Sequence, residues 1–184
     1  MTPQIKLLLT IGSVIATGAI GLGAYFSRKK IATLIQSKPT EASIRQNVVT
    51  AALSQLGKKD PAPYWINTMG SPQDSSLSWC GVFALWALHQ AGLALNKNWI
   101  PGKGFILTSP NPLPTTKNPQ PGDIAYFDSY QHQAVVAAVY PDGTIDLVNG
   151  NGTNRAVTPS RPKASTVTAF YSIQPYIDYK LMQV

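Results

Sequence analysis

The chain has 184 residues, of which 44% are hydrophobic and 9% aromatic, so its composition predicts a packed globular core and excludes a disordered chain. The formal net charge is +7 although only 12% of the residues are charged, because acidic residues are few. The sequence contains no dense patch of basic and aromatic residues, so we predict no nucleic-acid partner, whereas a diffuse basic surface suits anionic polymers or lipid head groups.

The first predicted element is a membrane anchor. Residues 7–26, LLLTIGSVIATGAIGLGAYF, contain no charged residue, and a helix of about 20 residues spans the hydrocarbon core of a bilayer, about 30 Å. The run is long for a secretion signal and is followed by Arg28-Lys29-Lys30 rather than by a small-residue cleavage site, so we favour a retained anchor over a cleaved signal peptide. Its glycines favour a helix–helix partner, and membrane lipid is the other partner predicted for this segment.

The sequence therefore divides into an N-terminal transmembrane anchor with a basic flank (1–30), a linker (31–39) and a folded domain (40–184). In that domain Thr40 is a good N-cap for a helix and Glu41 a good first-turn residue. The helical spacing of apolar residues continues to Leu56, and Gly57 provides a stop. Residues 57–75 and 96–121 are predicted to be loops, the second because it is rich in proline.

The next predicted helix carries the only cysteine, which excludes an internal disulfide. Ser78 is the predicted cap, with Trp79 and Cys80 in the first turn, and Gly92 ends the helix. Nearly every position is apolar, so we expect the helix to be enclosed. A thiol in the first turn lies at the positive end of the helix dipole, which favours the reactive thiolate, although free cysteine is often a small buried hydrophobe.

A nucleophilic thiol needs a base, and the chain has two histidines. His89 is on the same predicted helix as Cys80, about 13 Å further along the axis and on the opposite side. His132 therefore remains as the candidate base.

His132 opens the second of three predicted strands, Ile124 to Phe127, Gln133 to Tyr140, and Thr144 to Asn149. With a two-residue loop at Asp142-Gly143, Val136 lies opposite Asn149 and Ala134 opposite Asn151. Both asparagines then share the sheet face of His132, whereas a slip of one residue would move them to the other face.

These residue types fit thiol acyl chemistry. A cysteine attacks an acyl carbon, a histidine moves the proton, and a third polar group, here Asn149 or Asn151, fixes the imidazole tautomer. One cysteine and two histidines have no metal-ligand spacing, so we predict neither a metal nor a cofactor.

The segments SWCGVFALWALHQAG, QPGDIAYF and LVNGNG, in this order around His132, resemble the CHAP domain within the broader NlpC/P60 papain-like group, over roughly residues 41–173. The resemblance implies an α+β papain-like fold in which a helix bearing the cysteine packs on an antiparallel sheet bearing the histidine. It also implies hydrolysis of peptidoglycan amide bonds, by an N-acetylmuramoyl-L-alanine amidase or a peptide endopeptidase. Cys80 matches the nucleophile, His132 the base, Asn149 the orienting position, which is often acidic in the family, and Asn151 a polar neighbour.

Three aromatic residues near the cysteine, Tyr64, Trp65 and Trp79, are candidates for the wall of a substrate groove, with core packing as the alternative. In the QPGDIAYF segment, Asp123 is expected to be structural, at the start of a strand.

The leading hypothesis is a membrane-anchored, single-pass peptidoglycan hydrolase with a Cys-His-Asn mechanism, its catalytic domain facing the cell wall. The alternative is a non-catalytic membrane or virion structural protein whose papain-like domain binds cell wall or a partner. A third hypothesis keeps the thiol chemistry on another substrate, as a deamidase or lipid acyltransferase.

The basic residues after the anchor favour a cytoplasmic location for the domain by the positive-inside rule. This conflicts with peptidoglycan as the substrate, because peptidoglycan lies outside the cytoplasmic membrane. The membrane is therefore either the bacterial cytoplasmic membrane or that of a lipid-containing phage virion carrying a lysin.

Overall fold

The computed structural model of the protein describes residues 38–73, 77–93 and 113–184. The predicted anchor at 7–26 lies outside the described residues, as does most of the linker. Within the described ranges, no helix combines the length and apolarity needed to span a bilayer.

The described residues contain four α-helices and an antiparallel sheet, so the expected α+β class is confirmed. The helices are α1 (Glu41–Leu53), α2 (Ala62–Met69), α3 (Cys80–Gln90) and α4 (Gln174–Met182). The strands are β1 (Thr115–Thr116), β2 (Ile124–Phe127), β3 (His132–Val139), β4 (Ile145–Asn149), β5 (Thr158–Ser160) and β6 (Ala169–Tyr171). They lie in the order β1-β6-β2-β3-β4-β5, and every neighbouring pair is antiparallel.

Helix α1 begins where its cap predicts. The Thr40 hydroxyl accepts a hydrogen bond from the Ser43 N–H at 3.2 Å, and the Ser43 hydroxyl accepts one from the Thr40 N–H at 2.9 Å. This reciprocal capping box satisfies two N–H groups that the helix itself leaves unpaired. The helix ends at Leu53, and the chain continues in turns to Gly57, which adopts a φ of +81°.

The prediction of a continuous loop over 57–75 is wrong, because α2 lies within it. Pro61 and Pro63 stand at the start of α2, where proline needs no N–H partner and its fixed φ suits a helix. Gly70, with a φ of +82°, ends it. The predicted loop over 96–121 also contains structure, since β1 forms a short edge strand against β6.

Helix α3 is buried on nearly all sides, as its composition predicts. Trp79 occupies the N-cap position and no side chain caps the helix, so the prediction of Ser78 as the cap is wrong. The Ser78 hydroxyl instead contacts the side chains of Cys80 and Asn151. At the other end Gly92 adopts a φ of +72° and terminates the helix, as predicted.

The sheet separates two apolar clusters. The helices cover one face and pack on Ile124, Tyr126, Val135 and Val148. The opposite face holds a smaller cluster, with Ala125, Phe127, Ala134, Val136, Ile145, Leu147 and Phe170 as its buried members.

The β3–β4 register differs from the predicted one. Ala134 lies opposite Asn149, not opposite Asn151, and Val136 lies opposite Leu147, not opposite Asn149. Asn151 is beyond the end of β4, with a φ of +54°.

Two shifts of one residue produce this difference. The β3–β4 turn has three residues, 141–143, instead of two, because the Tyr140 N–H bonds the Thr144 carbonyl. A bulge in β3 between Val136 and Ala138 adds the second shift. One shift turns a strand's side chains to the other face and the second turns them back, so Asn149 keeps the face predicted for it.

Candidate active site

The thiol of Cys80 lies at the N-terminus of α3, below the protein surface. The residue is 2% exposed. Its Sγ is 3.6 Å from the Ser78 hydroxyl and 3.9 Å from the Gln131 carbonyl oxygen. Ser78 and Gln131 are themselves exposed, so the sulfur lies directly beside surface residues.

The imidazole of His132 is placed by the start of β3. Its Nε2 is 3.0 Å from the Asn149 Oδ1, which only accepts hydrogen bonds, so Nε2 carries the proton. Because Nε2 is bonded to Asn149, Nδ1 is the ring nitrogen that interacts with the Cys80 thiol. A neutral Nδ1 is a proton acceptor, which is the state that a general base needs.

The amide of Asn149 is held by the neighbouring strand. Its Nδ2 donates to the Thr158 carbonyl at 3.0 Å and to the Ser160 hydroxyl at 2.9 Å. Because both acceptors lie on β5, the Oδ1 must point back to His132. The row His132–Asn149–Ser160 thus runs across three adjacent strands and fixes the imidazole orientation.

The thiol and the imidazole shift each other's pKa towards an ion pair. Burial raises the pKa of Cys80, but the hydrogen bond and charge of His132, the Gln133 N–H and the Ser78 hydroxyl outweigh it, and the pKa lies below its ordinary value. Burial lowers the pKa of His132, but the hydrogen bond and charge of Cys80 and the hydrogen bond with Asn149 outweigh it, and the pKa is raised. A thiolate beside an imidazolium is therefore favoured, which is the activated form of a cysteine nucleophile.

Asn151 lies on the cysteine side of the site. Its Nδ2 donates to the Ser78 hydroxyl at 3.3 Å, and that hydroxyl contacts the Cys80 sulfur. The structure thus places Cys80 next to His132 and His132 next to Asn149. Asn151 is connected to this series through Ser78.

The CHAP domain family model matches residues 72–151. The match includes all four of the predicted catalytic residues, Cys80, His132, Asn149 and Asn151. CHAP domains are typically hydrolytic cysteine amidases or peptidases, and peptidoglycan is a substrate consistent with them. No curated protein and no solved structure matches the chain.

The three aromatic residues predicted to line a substrate groove belong to the core. Tyr64, Trp65 and Trp79 are 1%, 2% and 0% exposed. Tyr64 stacks on Trp79 with ring centroids 5.5 Å apart and meets Phe83 edge-on at 5.3 Å. Tyr64 and Trp65 lie on α2, and Trp79 lies at the N-cap of α3. All three are packed inside the domain, so they do not form an exposed wall.

Sequence reasoning missed the residues that support the site, Ser78, Thr158 and Ser160. Ser78 was predicted to be only a helix cap, and β5 is a three-residue strand containing a proline, which gives no periodic signal. The described residues contain no group of three or more histidine, cysteine or acidic side chains placed to hold a metal.

Proposed function

We propose that this chain is a papain-like cysteine hydrolase that cleaves amide bonds of peptidoglycan, as an amidase or a peptide endopeptidase. The observation that carries the proposal is the contact series from the Cys80 thiol through the His132 imidazole to the Asn149 amide, with Nε2 and Oδ1 3.0 Å apart. The CHAP match supports the choice of substrate class.

The proposed reaction has two halves. The Cys80 thiolate attacks the amide carbon, and the backbone N–H groups of the first turn of α3 stabilise the oxyanion, since a helix leaves them unpaired. The His132 imidazolium then gives its proton to the leaving nitrogen, the C–N bond breaks, and a thioester remains. In the second half His132 takes a proton from water, and the hydroxide attacks the thioester carbon. The C–S bond breaks, the carboxylic acid leaves, and the Cys80 thiolate is restored beside the protonated His132.

We also propose that residues 7–26 anchor the domain to a membrane, on the side where it meets the cell wall. Support comes from the length of this uncharged run. Protease protection in intact cells, in spheroplasts and in purified phage particles tests the location, because the domain should be cleaved only where it faces the medium.

The decisive experiment is mass analysis of muropeptides after incubation with the full-length protein, with Cys80→Ala as the matched control. We expect fragments with a new amino group from the wild-type protein and none from the variant. The mass of each fragment identifies the cleaved bond.

If the wild-type protein releases nothing but still binds purified cell wall, the non-catalytic alternative replaces the proposal. Release of ammonia without chain cleavage would point to a deamidase. Equal release by Cys80→Ala would remove Cys80 as the nucleophile.

A further inference from the structure

A groove of about 450 Å³ lies beside the candidate active site. Phe127 and Tyr130 supply an aromatic wall, Asn149 and Ser160 supply polar groups, and Arg161 supplies a cation. The chemistry of these lining residues suits a ligand that has both apolar and anionic parts.

The groove is continuous with the catalytic imidazole. Asn149, which bonds His132, also lines the groove. The Tyr130 ring stacks on the His132 ring with centroids 5.6 Å apart and on the Phe127 ring at 5.3 Å. Tyr130 is 62% exposed, so its ring presents one side of this stack to a ligand.

The position of the groove indicates which part of a substrate it receives. A general acid must lie next to the nitrogen that it protonates, so the leaving amine sits on the imidazole side of the thiol. Groups attached to that amine extend past His132, towards Tyr130 and Asn149.

The guanidinium of Arg161 is held in one orientation by bonds from its Nε and Nη2 groups. Asp146 accepts from its Nε and Nη2, and the Tyr140 hydroxyl accepts from Nη2 at 3.1 Å. The guanidinium carbon lies 4.6 Å from the centre of the Tyr140 ring. Of the five N–H donors of an arginine, the two on Nη1 have no partner among the described residues.

We propose that this groove binds the leaving amine fragment of the substrate and that Arg161 recognises a carboxylate on it. The proposal rests on the proposed hydrolase function. A held guanidinium pairs with a carboxylate through charge-assisted hydrogen bonds, whereas a carboxamide offers it only a neutral oxygen. Arg161 thereby makes the enzyme selective for peptides whose leaving fragment carries a free carboxylate.

The test compares substrates that share one acyl part and differ in the leaving fragment. The fragments have one, two or three amino acids, each as the free acid and as the C-terminal carboxamide. For the fragment length that reaches Arg161, we expect kcat/KM of the wild-type protein to favour the acid by about two- to fivefold, within the range for an exposed ion pair.

The double variant Arg161→Gln, Asp146→Asn removes the cation without leaving an unpaired carboxylate and without changing the net charge. We expect its acid-to-amide ratio to fall to about one. Lys117→Gln, which removes a positive charge next to the other edge strand, β1, should keep the wild-type ratio. A wild-type ratio of one, or a ratio that survives the double variant, would overturn the proposal.

Binding of the free amine fragments to the full-length Cys80→Ala protein separates this proposal from the hydrolase function. We expect tighter binding of the acids, and loss of that preference when the Arg161 and Asp146 substitutions are added. A preference in binding without any hydrolysis by the wild-type protein would retain the groove and reject the hydrolase. Hydrolysis without a preference in either assay would do the reverse.

Discussion

At the scale of single residues, one hydrogen bond sets the orientation of the His132 imidazole. Asn149 bonds Nε2 and is itself held by two acceptors on β5. It is 8% exposed, so water competes little for this bond. The neutral amide orients the ring and raises the pKa of His132 without adding a charge to the site.

Replacement of Asn149 by Ala should lower the pKa of His132, because the hydrogen bond that it removes favours the imidazolium. The thiolate then loses part of its counter-charge, so the pKa of Cys80 should rise. NMR titration of the His132 ring should move to lower pH, and the rate of Cys80 alkylation by iodoacetamide should need higher pH. In a pH profile of hydrolysis, the acid limb follows the pKa of Cys80 and should move to higher pH. The alkaline limb follows the pKa of His132 and should move to lower pH, so the active range narrows.

Asn151→Ala is the matched control, since it removes an equal side chain whose bond goes to Ser78. It should leave the His132 titration in place. If both variants shifted the titration equally, the assignment of the orienting role to Asn149 would fail.

The sequence identified the residue types of the site but could not choose between the two asparagines. That choice depends on a three-residue turn and a bulge in β3, and neither has a strong signal in the sequence. The shared face of His132 and Asn149 was predictable only because the two shifts cancel. The resemblance to CHAP domains was independent of this register, and the family match confirms it over residues 72–151.

At the scale of elements, the end of β4 lies against α3 at Gly150. A Cβ added to Gly150 would lie 2.3 Å from the Phe83 Cβ and 2.6 Å from its Cγ. These atoms sit at the base of a buried ring, which cannot swing aside. The glycine between the two asparagines therefore lets the strand bearing Asn149 approach the helix bearing Cys80.

Gly150→Ala should therefore cost about 2 kcal/mol or more of unfolding free energy through overpacking. Gly70→Ala is the control. Its added Cβ meets no atom within 4 Å, but the φ of +82° is strained for alanine and costs about 1 kcal/mol. Urea unfolding of both variants measures the difference. A Gly150→Ala protein as stable as Gly70→Ala would show that the two elements are not in close contact there.

Elements with local signals were predicted best. The start of α1 follows from its cap, and β2 from an apolar run after a Pro-Gly turn, and both were placed correctly. Helix α2 is short and begins between prolines, so its sequence resembles a loop. Its helical state depends on the burial of Tyr64 and Trp65, and Tyr64 packs on Phe83 and Trp86 of α3. No local pattern reports such a tertiary contact.

At the scale of the whole folded unit, Pro39–Val184, a buried ion pair ties distant parts of the chain together. The Arg45 guanidinium on α1 donates to the Asp123 carboxylate at 3.0 Å, to the Pro121 carbonyl at 3.1 Å and to the Gln174 amide oxygen at 2.7 Å. Asp123 also accepts from the Ile173 N–H at 3.1 Å. Helix α1, the start of β2 and the start of α4 thus meet at one pair of charges.

Asp123→Asn should destabilise the protein by about 2 kcal/mol, because it removes the buried counter-charge of Arg45 and leaves it only the partly exposed Glu41 carboxylate, 2.9 Å from its Nε. The new amide also brings an N–H group towards the Gln120 N–H, which now donates to Asp123 at 2.9 Å. Asp142→Asn, at an exposed turn, should shift the urea midpoint much less. Arg45→Met combined with Asp123→Leu should cost less than the sum of the two single changes, because neither charge is then left alone. Additive costs across this cycle would mean that the fold does not depend on the pairing of these two charges.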